Sequence, residues 1–165
     1  MGTQQILMII LSVIVVGASV AVGIQMFSTQ SDNQNLIAIK TELLQYAVQA
    51  QAWYRTPQMM GGGGRYTSYA DYTAATGKSA DVEIMRYINR DASGFTIVND
   101  FGEFRCQLGG NPNATTIHIN SFPLAFQNSD GSWSLTPVVF VDLAGGANRI
   151  KVLDNYLGGD SVAAW

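Results

Sequence analysis

The sequence predicts an α+β fold, a long N-terminal helix packed by its C-terminal half on a small antiparallel β-sheet head domain. Three observations carry that prediction. No charged side chain precedes Asp32, and residues 6–27 are almost wholly apolar. Beyond them, Leu36, Ile39, Leu43, Tyr46, Ala50 and Trp53 recur at steps of three and four, which marks one face of a helix. From Arg65 onward the apolar residues regroup into short runs divided by turn residues, the signature of strands.

The first element is an apolar rod. Twenty-two residues at a rise of about 1.5 Å make about 33 Å, enough to cross a hydrocarbon core of about 30 Å. No Lys or Arg precedes Lys40, and the apolar run exceeds a signal peptide's short h-region, so the segment is expected to be retained as a membrane helix. Ile6, Leu7, Ile10, Val13, Ile14, Ile24 and Phe27 are its candidate packing residues. Gly17 with Ala21, and Ser19 with Gly23, form small-xxx-small pairs that let helices approach closely. Because interior glycine costs a helix about 1 kcal/mol, Gly17 and Gly23 also mark a candidate hinge, and both readings stand.

The helix does not stop at Phe27, since neither Pro nor Gly occurs between Phe27 and Pro57. One helix over residues 1–54 is expected, about 75 Å long, apolar over 1–31 and amphipathic over 32–54, with Gln45, Gln49 and Gln51 as interleaved polar positions. Pro57 and the glycines at 61–64 end it and suggest a flexible connector over 55–65. The head, 66–165, opens with Tyr66, Tyr69 and Tyr72 in one loop suited to an interface or loop packing. A helix follows near 79–89, with Ser79 as N-cap and Val82, Met85 and Ile88 on one face. Six strands are expected at 95–98, 104–108, 115–120, 132–135, 138–143 and 149–153, joined as an antiparallel meander whose buried face is covered by residues 36–53.

Composition narrows the function. Nine Lys plus Arg stand against twelve Asp plus Glu without a basic run, so nothing favours nucleic acid as a partner. One cysteine, Cys106, and one histidine, His118, exclude a disulfide within the chain and a Cys/His zinc cage built from it. His118 alternates with Ile117 and Ile119 and is expected at the surface, whereas Cys106 reads as a buried small hydrophobe. Fragments that imitate catalytic motifs fail on context. Gly77, Lys78 and Ser79 resemble the end of a P-loop, but Tyr72 stands where its first glycine belongs. Asp100, Phe101 and Gly102 imitate a kinase metal motif in a chain too short for a kinase, and Asn128, Asp130 and Gly131 lack the later acidic ligands of a calcium loop. All three read as turns. Asn113, Ala114 and Thr115 form a candidate glycosylation sequon. No cofactor site, metal site or catalytic constellation is read from the chain, and an enzyme is not expected.

An uncharged apolar N-terminal helix continuing into an amphipathic half, then a glycine-rich stretch and a small antiparallel sheet, resembles the type IV pilin and pseudopilin family. The resemblance covers residues 1–54 in pattern and the remainder in architecture. Where that family carries glutamate at the fifth position, Gln5 stands here counted from Met1, an amide that can hydrogen-bond a neighbour's amino terminus. The resemblance implies a pilin-like fold and a homopolymeric extracellular filament. Subunits would wait in the inner membrane, and an assembly ATPase and platform would extract them so that the apolar helices bundle. Two alternatives stay open: a minor pseudopilin of a secretion machine, and a single-pass membrane-anchored binding module.

Overall fold

The computed structural model describes residues 2–109, 115–144 and 150–153. It is α+β: a long N-terminal helix α1 (Gly2–Arg55), two short helices α2 (Tyr69–Thr76) and α3 (Ala80–Ile88), and five strands. These are β1 (Thr96–Asn99), β2 (Gly102–Leu108), β3 (Thr116–Pro123), β4 (Val138–Asp142) and β5 (Ile150–Leu153), paired antiparallel in chain order. The chain divides into two compact units, Met1–Ile37 and Ala38–Trp165, so the last third of α1 belongs to the same unit as the sheet. Within the first unit, α1 is unbroken through Gly17 and Gly23.

In the second unit, Ile39, Leu43, Ala47, Ala50 and Trp53 from α1 share one hydrophobic cluster with Ile97, Phe104, Cys106, Ile117, Ile119, Val139 and Val141 from the inner face of the sheet. Alternation explains the sheet's share of that list: on β2, Phe104 and Cys106 turn inward while Glu103, Arg105 and Gln107 turn outward. β4 departs from the alternation, being buried along its whole length. Gln51, one of the interleaved polar positions, is buried, and its side-chain amide donates to the Asp142 carbonyl at 3.2 Å.

Four expectations are corrected. Residues 132–135 are no strand: the β3–β4 ladder ends at Asn120 and Val138, and Pro137, with no N–H to donate, stands between this segment and β4. It lies instead in an excursion that opens with a 3-10 turn (Leu124–Phe126) and closes on itself through an isolated bridge between Gln127 and Trp133 and through Ser134 N, which donates to Phe126 O at 2.9 Å. Tyr69 and Tyr72 sit on a helix rather than in a loop, with the Ser68 side chain accepting from Asp71 N at 3.1 Å as its N-cap. On α3 the buried face is Ala80, Ile84 and Met85, and Val82 lies off it; Ser79 occupies the cap position without a side-chain cap bond to the backbone.

The glycine run is the fourth. Its amides are consumed in ending α1: Gly63 N donates to Trp53 O at 2.8 Å, Gly64 N to Thr56 O at 2.9 Å, and Arg65 N to Tyr54 O at 2.9 Å. A Cβ on Gly62 would stand 2.2 Å from Thr56 O, and one on Gly63 would meet the Trp53 ring at 2.9 Å. Close approach, not slackness, explains glycine here. We expect Gly62→Ala to destabilise the head by about 2 kcal/mol through overpacking, whereas Gly61→Ala, facing open space, costs only the smaller backbone strain of its left-handed φ, about 1 kcal/mol. Denaturant unfolding of the full chain in detergent, followed by tryptophan fluorescence, measures both; equal effects would contradict the packing explanation.

Candidate functional site

In the first unit, Ile6, Leu7, Ile10, Val13, Ile14, Ile24 and Phe27 are between 54% and 76% exposed, and Gly17, Ala21 and Gly23 are exposed among them. No face of this stretch is spared, because the apolar residues are not confined to a stripe. Its few hydroxyls are satisfied internally: Ser12 Oγ donates to Ile9 O at 2.8 Å, Ser19 Oγ to Val15 O at 2.8 Å, and Thr29 Oγ1 to Gln25 O at 3.0 Å. These three hydroxyls are folded back on the helix, which presents mostly hydrocarbon. It is long and apolar enough to cross a membrane. A Cβ at Gly17 or Gly23 would meet nothing within 4 Å, so both positions leave room for a close neighbour.

The second group of predicted residues divides. Ile39, Leu43, Ala50 and Trp53 are fully buried in the head's core. Tyr46 is half-buried, its ring edge-on to Phe104 at 5.2 Å and 87°, while Leu36, in the first unit, is half-buried. Two core residues of the same helix, Ala47 and Tyr54, were not singled out from the sequence, although 39, 43, 47, 50 and 54 follow the same steps of three and four. A polar contact flanks the seam, with Asn99 Nδ2 donating to Glu42 Oε2 at 2.6 Å.

Around Trp53 the aromatic residues form a buried cluster of edge-on and tilted rings. Its ring lies 5.3 Å from Tyr72 and 6.0 Å from Tyr66; Tyr66 in turn lies 5.1 Å from Tyr54 and 5.8 Å from Tyr69. Tyr54 Oη donates to the Tyr66 carbonyl at 2.7 Å, tying the end of α1 to the segment leaving the glycine run. Burial pushes the Tyr66 and Tyr69 phenols well above their ordinary range and does the same to the Cys106 thiol. The tyrosines are thus core, not free interface.

The motif-like fragments occupy turns. Gly77 closes α2, its N–H donating to Thr73 O at 2.8 Å, and Ser79 begins α3. At the β1–β2 hairpin, Asn99 Oδ1 accepts from Phe101 N at 3.0 Å and Gly102 N at 3.2 Å. The Asp130 carboxylate accepts from Ser132 N at 2.9 Å and from Ser132 Oγ at 2.6 Å. Among the described residues no three of His, Cys, Asp and Glu gather into a set that could hold a metal ion. Asn113 lies outside the described residues.

His118 is half-buried on the outer sheet face, its Nε2 2.9 Å from Gln107 Oε1 and its ring 5.7 Å from Phe140. The chain matches no protein-family model, no curated protein and no solved structure.

Two predictions follow from this geometry. Trp53→Ala removes a fully buried indole and is expected to cost about 3–5 kcal/mol of head stability, read as a lowered denaturant midpoint. Burial lowers the pKa of His118, so the folded chain takes up this proton less readily than the unfolded one. The resulting stability is present above the unfolded pKa of about 6.5 and is lost as pH falls through it toward the folded value. Thermal midpoints taken from about pH 7.5 to about pH 5 should therefore fall, and His118→Gln should flatten that part of the slope; an unchanged slope in the variant would remove His118 as its source.

Proposed function

We propose that this chain is a structural, non-catalytic subunit of an extracellular filament of the type IV pilus kind, held in the inner membrane before assembly and then polymerised with copies of itself by an ATP-driven platform. The observation that supports the reading is the combination of an uncharged helix, apolar on every side and exposed from Ile6 to Phe27, with a small sheet-bearing head that has its own closed core. Such a helix is stable only in lipid or among similar helices, and exchanging one for the other changes its hydrophobic burial little. The Gly17 and Gly23 positions suit close helix contact in either setting, and the head's exposed loops would give the filament its surface and adhesive character.

Electron microscopy of material sheared from the producing cells, with mass spectrometry of the fibres, tests this directly. The expected result is thin fibres built of this chain. Ile14→Lys, placing a charge within the apolar stretch, is expected to abolish them, since a central Lys costs membrane insertion about 2.5–3.5 kcal/mol, while the head keeps its circular dichroism. Fibres without the chain would overturn the proposal, as would a chain that stays in the membrane with no fibres. The second result would leave an anchored module or a minor pseudopilin.

A further inference from the structure

The 3-10 turn that follows α1 (Gln58–Met60) holds two thioethers in water. Met59 is 100% exposed and Met60 77%, and the turn buries none of its residues. The other methionines among the described residues stand elsewhere. Met85 is wholly buried in the head's core, while Met8 and Met26 lie in the apolar part of α1, which needs a nonpolar cover. Cys106 and Trp53 are wholly buried as well. Met60 differs from Met59 in its surroundings. It lines an open groove with Gly61, Glu83, Arg86, Tyr87 and Arg90, and Met59 does not. Both arginines are exposed there. Arg86 Nη1 donates to Glu83 Oε1 at 3.0 Å, a bond that occupies one of the five N–H groups of its guanidinium.

We propose that this turn is an oxidative modification site, at which Met59 and Met60 take oxygen from a peroxide and the Arg86 and Arg90 guanidiniums favour the reaction at Met60. The sulfur lone pair attacks one peroxide oxygen, so that an S–O bond forms as the O–O bond breaks. The hydroxide that leaves takes the proton of the transferred hydroxyl and departs as water. The thioether is thereby oxidised to a sulfoxide, and the peroxide is reduced. Negative charge develops on the leaving oxygen and then rests in part on the sulfoxide oxygen. Guanidinium N–H groups in the same groove can donate to both, and charge-assisted donors are the strong ones. By exposure alone Met59 would react first; the arginines reverse that order. The product is tolerated because neither side chain packs in the core, whereas oxygen added to Met85 would place a polar group among buried apolar ones. The inference does not depend on what covers residues 6–27.

Timed treatment of the full chain in detergent with hydrogen peroxide, followed by tandem mass spectrometry that resolves the two adjacent methionines, tests it. Met59 and Met60 are expected to become sulfoxides while Met85 stays intact, with Met60 ahead of Met59 and the head's denaturant midpoint unshifted. In the double variant Arg86→Gln, Arg90→Gln, Met60 should lose its lead and the Met59 rate should stay as it was. Met59 is thus the internal control, and because both arginines are exposed, circular dichroism should show the variant's head folded. Oxidation of Met85 before the pair, or a midpoint that falls as the pair is oxidised, would overturn the site. Met60 trailing Met59 in the unaltered chain, or a Met60 lead that survives in the variant, would overturn the part given to the arginines.

Discussion

Trp53 is the constraint on which the head depends. It is wholly buried, its carbonyl accepts from Gly63 N at 2.8 Å, and its ring is flanked by Tyr66 and Tyr72 and faced by a glycine that tolerates no Cβ. One residue thus fixes three things together: where α1 ends, how the chain reverses after it, and where α2 begins to pack. The sheet is the other side of the same core, since the α1 seam that ends at Trp53 lies over Phe104, Cys106, Ile117, Ile119 and Val141. A buried aromatic of this size adds large apolar area and a demand for shape, and the glycine run meets that demand by being thin.

Much of this was legible in the sequence, and the parts that were not have physical causes. Helix α1 was plain because residues 6–27 are apolar on all sides and residues 36–53 repeat at helical spacing; both signals are local. The meander was legible from turn residues between alternating runs. The strand expected at 132–135 failed because alternation reports a half-buried environment without saying whether a ladder continues to it, and the β3–β4 ladder ends at Val138, just past Pro137. Helix α2 was missed although Ser68 followed by Asp71 is a capping signal, because its eight residues hold too little periodicity to stand out from a tyrosine-rich loop. The glycines at 61–64 were read for their freedom, whereas the structure uses their lack of a side chain.

The candidate site divides in the same way. Apolarity on every side of residues 6–27 is a compositional fact, readable before any fold is known. Two apolar lines on one helix are harder to separate. Leu43 and Leu44 are adjacent in sequence, yet the first is wholly buried and the second 43% exposed, and only the position of the sheet distinguishes them. Gln51 shows the converse: a polar residue enters the core because the Asp142 carbonyl offers its amide a partner.

The two apolar surfaces of α1 differ in what they can decide. From Ile6 to Phe27 there are fifteen large apolar side chains, each more than half exposed. At about 1.5–3 kcal/mol for each such side chain taken from water, leaving them wet costs on the order of 20–45 kcal/mol. That exceeds the roughly 5–15 kcal/mol by which a folded domain is stable, so some cover for this segment is compulsory. Leu44 and Val48, on the head-bearing part of the helix, involve only a few kcal/mol by the same measure, too little to make a cover compulsory.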